Sequence, residues 1–240
     1  MIKAKIVAME TYFGKNTVSG EEYIEHFRKM GIDSTTLTKK VFGRENISVA
    51  DAEEESSLTM AKEAVNGVLK KTGLTGQDID MIIYSSILGE YLAPPVSTII
   101  HKEIGGKQDA FCYDMNVNCI GMTVALEHAI KYMSTSAHVQ RVLLVGSEHL
   151  TATVNSNDPT TYGVFGDGAC ALILEQTEEE CGLINSKYSV FNYLVDNIVY
   201  PPCGMKEVMK HGTPISAEDM YMNIKPFTGD WGERSIEDIK

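Results

Sequence analysis

Short apolar strands alternating with amphipathic helices, joined by brief connections, predict an α/β protein. Two observations carry this. Asp80 to Ser85 and Arg141 to Gly146 are continuous apolar runs of strand length, as buried strands require, and between and before them lie apolar residues at helical spacing. Gly and Pro mark the connections.

Residues 2–9 read as the first strand, ending near Gly14. Glu21 to Met30 fits a helix with Tyr23, Ile24, Phe27 and Met30 on one face and Gly31 as its stop. Asp33 to Asp51 is irregular and holds three basic residues, Lys39, Lys40 and Arg44, suited to a solvated patch or to contact with a phosphate-bearing ligand. A stronger helix follows: Ser56 or Ser57 can cap it, Leu58, Ala61, Val65, Val68 and Leu69 share a face, and Gly73 closes it. After the strand ending at Ser85, Pro95 suits the first turn of a helix running through Ile99, Ile100 and Ile104 to Gly105. Ala110 to Asp114 is the next strand.

The helix after Cys119 places Met122, Leu126, Ala129, Ile130 and Met133 on one face with Glu127 and Lys131 opposite, which implies half burial or burial against a second subunit. The run 141–146 reads as a mid-sheet strand, Asn155 to Thr161 as a polar loop, and Phe165-Gly166-Asp167-Gly168-Ala169 as a turn into the strand 170–174. That turn lacks G-x-G-x-x-G spacing and is not read as a dinucleotide site. After Glu175 the pattern begins again, with a strand expected over 182–190 and loops over 192–222. Two regions are therefore expected, 1–175 and 176–240. Ser235 to Lys240 reads as a capped helix start, so the sequence is expected to stop inside an element.

The formal net charge of −12 and the lack of a long basic run argue against a nucleic-acid role. Apolar runs far shorter than a membrane span and a charged beginning without a signal peptide make the cytoplasm the expected compartment. The five cysteines, Cys112, Cys119, Cys170, Cys181 and Cys203, contain no C-x-x-C pair, so neither a zinc ribbon nor a disulfide framework is expected. A cysteine is ordinarily a small buried hydrophobe. Cys119 has a context that overrides this. Asp114-Met115-Asn116-Val117-Asn118-Cys119-Ile120-Gly121 reads as a strand end, a sharp turn and a helix N-terminus beginning at the cysteine. Unsatisfied N–H groups and the helix dipole there favour the thiolate, and the same N–H groups suit an oxyanion on an acyl group attached to that sulfur.

Asp114-Met115-Asn116-x-x-Cys119-x-Gly121, Val145-Gly146-Ser147-Glu148, Asp158-Pro159-Thr160 and Phe165 to Ala169, in that order and spacing, resemble β-ketoacyl-acyl-carrier-protein synthase III of the thiolase superfamily. The resemblance covers nearly the whole chain but only about the first two-thirds to three-quarters of a typical member. It implies a layered αβαβα fold of two similar halves, with 1–175 as the first half and 176–240 as the start of the second, in a homodimer packed through the first half. It implies that Cys119 accepts an acyl group from acyl-CoA, with an acyl carrier protein bearing the malonyl extender and no cofactor or metal. It places Leu92 where a residue reaches into the partner's acyl pocket, Phe165 beside the acyl channel, and Lys39 near the CoA-binding loop.

Three departures bear on that carry-over. His26, His101, His128, His138, His149 and His211 all lie outside the His-Gln-Ala-Asn context that the family uses for decarboxylation. Thr35 falls where the family stacks an aromatic residue on adenine, and Asn118 where a small apolar residue is common before the nucleophile. The resulting expectation is a condensing acyltransferase of fatty-acid or polyketide type, with this 240-residue chain expected to acylate itself without completing condensation. The alternatives are transfer to a hydroxyl or amine, and a non-catalytic or regulatory subunit pairing with a complete ketosynthase.

Overall fold

The computed structural model describes residues 2–201, 221 and 223–224, and the chain divides into two compact units. The first comprises 1–19, 46–152 and 166–188; the second comprises 20–45, 153–165 and 189–240.

In the first unit a six-stranded sheet is built from β1 (Ile2–Phe13), β4 (Met81–Ser85), β5 (Phe111–Met115), β6 (Arg141–Glu148), β7 (Gly168–Gln176) and β8 (Gly182–Leu183), in the order β5-β4-β6-β7-β1-β8. β4 runs parallel to β5 and β6, whereas β7 is antiparallel to β6 and β1. Side chains alternate across this sheet, so each central strand serves two cores. Ile82, Tyr84, Leu143, Val145, Ala171 and Ile173 face one side, covered by α2 (Ser57–Thr72) and α3 (Val96–Glu103). Met81, Ile83, Val142, Leu144, Leu172 and Leu174 face the other, covered by α4 (Gly121–Thr135). The apolar runs of β4 and β6 thus have the mid-sheet origin their sequences suggest.

The expected cap of α2 is present. Ser56 Oγ accepts from Thr59 N–H, and Thr59 Oγ1 accepts from Ser56 N–H at 2.8 Å. Gly73 ends the helix at φ 72°, the left-handed conformation that glycine adopts without strain. α3 starts one residue later than expected: Pro95 is its N-cap, and its first N–H groups are satisfied by Asp114, whose carboxylate accepts from Val96 N at 2.6 Å and Ser97 N at 2.9 Å.

The irregular stretch 33–51 contains order that periodicity does not reveal. β3 (Asn46–Val49) pairs antiparallel with β2 (Asn16–Ser19), and their partners lie too far apart in sequence for a hairpin turn to announce them. In the second unit α1 (Gly20–Lys29) buries Tyr23, Ile24 and Phe27, with Tyr162 edge-on to Tyr23 at a centroid distance of 4.9 Å. A π-helical turn spans Leu37–Val41, and β9 (Ile198–Val199) pairs with β10 (Asn223–Ile224). The loop expected at Gly204 and 212–214, Cys203, His211 and the expected helix start at Ser235 lie outside the described residues.

Two expectations are corrected. The strand expected over 182–190 is only Gly182–Leu183, paired with Ile2 and Lys3; Ile184 and Val190 are each 89% exposed, with no apolar face to bury. Glu127, assigned to the polar face of α4, is instead buried. Its carboxylate accepts from Ser186 Oγ at 2.6 Å and from Tyr188 Oη, and pairs with Lys131 one turn on. The residues after β8 therefore dock on α4 through hydrogen bonds in place of a strand ladder.

The Lys131 ammonium and the two hydroxyls hold the Glu127 carboxyl down at about 2, from an ordinary value of 4.5. A depressed carboxyl stabilises the fold fully above its unfolded value and ceases to do so as pH falls through its folded value. Glu127→Gln is therefore expected to be less stable than wild type at neutral pH, the difference shrinking from about pH 4.5 toward pH 2, as read by urea denaturation across pH.

Candidate active site

Cys119 lies four residues beyond the end of β5, on the side of the sheet where the parallel strands β4, β5 and β6 terminate. The crevice beyond the carboxyl ends of parallel strands is where α/β sheets commonly present their chemistry. Ser85, at the end of β4, lies in register with Met115 of β5 and Gly146 of β6. The turn that follows β5 is tied to the chain leaving β4 by two hydrogen bonds: Ser86 N donates to Met115 O at 3.2 Å, and Asn116 Nδ2 donates to Ile87 O at 3.3 Å.

The two asparagines of the turn have separate physical roles. Asn116 Oδ1 accepts from Asn118 N at 3.0 Å, so its side chain mimics a backbone turn. Asn118 itself sits at φ +48°, a left-handed conformation that asparagine tolerates far better than a branched residue.

The helix does not begin at the cysteine. Asn118–Ile120 forms a single 3₁₀ turn, and α4 starts at Gly121, whose N–H already donates to Asn118 O. Cys119 is thus placed just before the helix with its side chain exposed. Ile120, at the N-cap, has no oxygen to cap the first N–H groups of α4. Gly121 permits the approach of this turn to the sheet, because a Cβ there would meet Ser85 Oγ at 2.0 Å. Gly146 does the same beneath α4, where a Cβ would meet Met122 Sδ at 2.8 Å.

The other described cysteines are unlike Cys119. Cys112, Cys170 and Cys181 are half-buried. Burial pushes the Cys112 thiol up to about 11 and raises that of Cys170, so neither is a ready nucleophile at neutral pH.

The remaining candidate residues fall in different units. Leu92 belongs to the first, in the loop before α3, and is 79% exposed. Lys39 and Phe165 belong to the second. Lys39 is exposed in the π-helical turn and pairs with Glu21, while Phe165 is half-buried. Sequence reasoning placed Glu148 in a motif without a role and passed over Ser86 and Ile87: the Glu148 carboxylate accepts from Ile87 N at 2.6 Å and from Ser86 Oγ at 3.2 Å. A polar residue ending an apolar strand was the available signal.

Gly121→Ala is expected to force Ser85 or the turn aside, destabilising the protein by about 1–3 kcal/mol, as overpacking does, in urea denaturation. The same change is expected to alter the alkylation rate of Cys119, measured by peptide mass mapping.

The family model for 3-oxoacyl-[acyl-carrier-protein] synthase III matches residues 113–190, the segment that contains the Cys119 turn. A β-ketoacyl-[acyl-carrier-protein] synthase III of Clostridium perfringens is 28% identical over 242 aligned positions, covering 100% of this chain and 72% of that protein. One from Desulfotalea psychrophila is 35% identical over 133 positions, covering 55% of this chain and 40% of the relative. Among solved structures, the 3-oxoacyl-[acyl-carrier-protein] synthase III of Aquifex aeolicus superposes with a TM-score of 0.76 at 20% identity, covering 98% of this chain and 67% of its own. The priming β-ketosynthase of the R1128 polyketide pathway gives 0.77 at 20% identity, covering 98% and 65%. The fold is thus the thiolase-like layered α/β fold, of which the first unit supplies helices on both faces of its sheet. In its fold, its motifs and its matching segment, the chain is similar to the β-ketoacyl-acyl-carrier-protein synthase III proteins.

Proposed function

We propose that this chain performs the acyl-accepting step of a condensing enzyme of fatty-acid or polyketide type, with Cys119 as the nucleophile. The observation that carries this reading is an exposed thiol on a fixed turn, two residues before a helix N-terminus that has no side-chain cap. The Cys119 thiolate attacks the carbonyl carbon of an acyl-CoA thioester. The carbonyl π electrons move to oxygen, where backbone N–H groups at the start of α4 stabilise the oxyanion. Collapse expels the CoA thiolate, which takes up a proton, and leaves the acyl group as a thioester on Sγ. In the second stage, loss of CO2 from a malonyl thioester on an acyl carrier protein gives an enolate whose carbon attacks the acyl group and releases the Cys119 thiolate. We assign the first stage to residues of this chain and assign none of them to decarboxylation.

On the family resemblance, Leu92, Phe165 and Lys39 are proposed as substrate-binding residues, Leu92 and Phe165 toward the acyl chain and Lys39 toward CoA phosphate. Residues 1–175 are proposed as the first thiolase-like half and 176–240 as the beginning of the second. The protein is proposed to act as a soluble homodimer. β5 is the outer strand of the described sheet, and Phe111 on it is 46% exposed while stacking on Tyr132 at 5.8 Å and lying 5.4 Å from Tyr113. A second copy of the chain is the proposed occupant of that edge. Among the described residues, no helix is long and apolar enough to cross a membrane.

Incubation with acetyl- to lauroyl-CoA followed by intact-mass measurement is expected to give one acyl adduct, absent from Cys119→Ala. A folded protein without an adduct from any donor would contradict the proposed step and favour a non-catalytic subunit. Light scattering coupled to size exclusion is expected to give a dimer that Phe111→Glu weakens. A stable monomer, or a heteromeric partner on co-purification, would contradict the homodimer.

A further inference from the structure

The segment leaving β4 is held from both sides. On one side Ile87 O accepts from Asn116 Nδ2, and Asn116 Oδ1 in turn accepts from the N–H of Asn118, the residue preceding the nucleophile. On the other, Ile87 N donates to Glu148 Oε1 at 2.6 Å. Ser86 Oγ donates to Glu148 Oε2 at 3.2 Å and accepts from Leu88 N at 3.0 Å. One carboxylate at the end of β6 therefore holds the N–H of the same residue whose carbonyl holds the cysteine turn. All of these groups lie in the first unit.

Burial raises the Glu148 carboxyl above its ordinary range, although the Ile87, Ser86 and Leu88 donors pull it down. A half-buried carboxylate costs desolvation that an apolar side chain would avoid. Its hydrogen bonds organise the end of β4 in return. The opposite end of the same strands offers a comparison. Asp80, at the entrance to β4, accepts from Gln140 N at 2.6 Å and Arg141 N at 2.7 Å. It ties β4 to β6 in a similar way but lies roughly 20 Å along the strands from Glu148.

We propose that Glu148 is a positioning residue for acyl transfer to Cys119, acting through Ile87 and Asn116 on the turn that carries the thiol. The inference rests on the acyl-accepting role of Cys119. Glu148 touches neither substrate nor sulfur in this role. It sets the angle at which Sγ meets a thioester carbonyl, and a misplacement of about 1 Å in such a geometry costs on the order of a hundredfold in rate.

The test compares Glu148→Ala, Glu148→Asp, Glu148→Gln and Asp80→Ala in two reactions of the full chain. The first is acylation of Cys119 by the acyl-CoA that labels wild type fastest, and the second is alkylation of the same thiol by iodoacetamide. Alkylation needs an exposed thiol without a shaped approach, whereas acylation needs both. Glu148→Ala is expected to slow acylation by roughly tenfold to a hundredfold while alkylation persists. Glu148→Asp, which retracts the carboxylate by about 1.5 Å, is expected to slow acylation as well. Glu148→Gln retains an oxygen for Ile87 N–H and is expected to restore the rate. Asp80→Ala is expected to lose stability without losing acylation, separating position from general loosening. If Glu148→Ala does not fold, the contrast between the Asp and Gln variants decides the matter. Equal acylation in all Glu148 variants, or an equal loss in Asp80→Ala, would overturn the inference while leaving Cys119 as nucleophile. No adduct on the wild-type protein would overturn both.

Discussion

Where β4 and β5 end, the chain at Ser86 and Ile87 is joined to the chain at Met115 and Asn116 by a short seam of hydrogen bonds. Parallel strands deliver both segments to the same side of the sheet, in register, and the seam then prevents the β5 chain from simply continuing outward. It folds back through the Asn116 side chain, passes through the left-handed Asn118 and enters the 3₁₀ turn that presents Cys119. The exposure of that thiol is consequently a product of a fixed backbone. An exposed cysteine on a free loop would have the same chemistry but no defined approach to a carbonyl.

The packing beneath is arranged to let the turn come close. Gly121 and Gly146 remove the two Cβ atoms that would stand between α4 and the strands, bringing the helix start down onto Ser85. Asp114 serves the neighbouring element by capping α3, so the first residue of the motif around Cys119 is structural although it adjoins the reactive one. Buried and half-buried carboxylates recur as organisers of strand ends in the first unit. Asp80 binds the entrance to β6, Glu148 binds the exit from β4, and Asp167 accepts from Ala50 N at 2.8 Å and Thr151 N at 3.0 Å. In each case one side chain satisfies backbone donors that the sheet ladder leaves over.

What the sequence disclosed follows the range of the interactions concerned. The cap and stop of α2, the mid-sheet origin of the Val142–Val145 run and the turn around Cys119 are local patterns, and the structure contains them. The β2–β3 pair joins residues about thirty positions apart along the chain and leaves no periodic trace over four-residue strands. Glu127 stands on a helical wheel as an ordinary polar residue beside Lys131, and only the arrival of Ser186 and Tyr188 makes its burial favourable. The same limit hid the role of Glu148, whose partners Ser86 and Ile87 lie just past the end of another strand, β4. Family motifs supplied the chemical reading of Cys119, whereas the identity of the groups that hold it in place became visible only from the hydrogen bonds.

Acyl transfer to a thiol held by this seam is tested most directly by an experimentally determined structure of the protein after reaction with acyl-CoA. The expected result is an acyl thioester on Cys119 Sγ, its carbonyl oxygen directed at backbone N–H groups near the start of α4, with Asn118 still left-handed and Asn116 still bound to Ile87. An acyl group on another residue, or a thioester on Cys119 with that turn released from the end of β4, would contradict it.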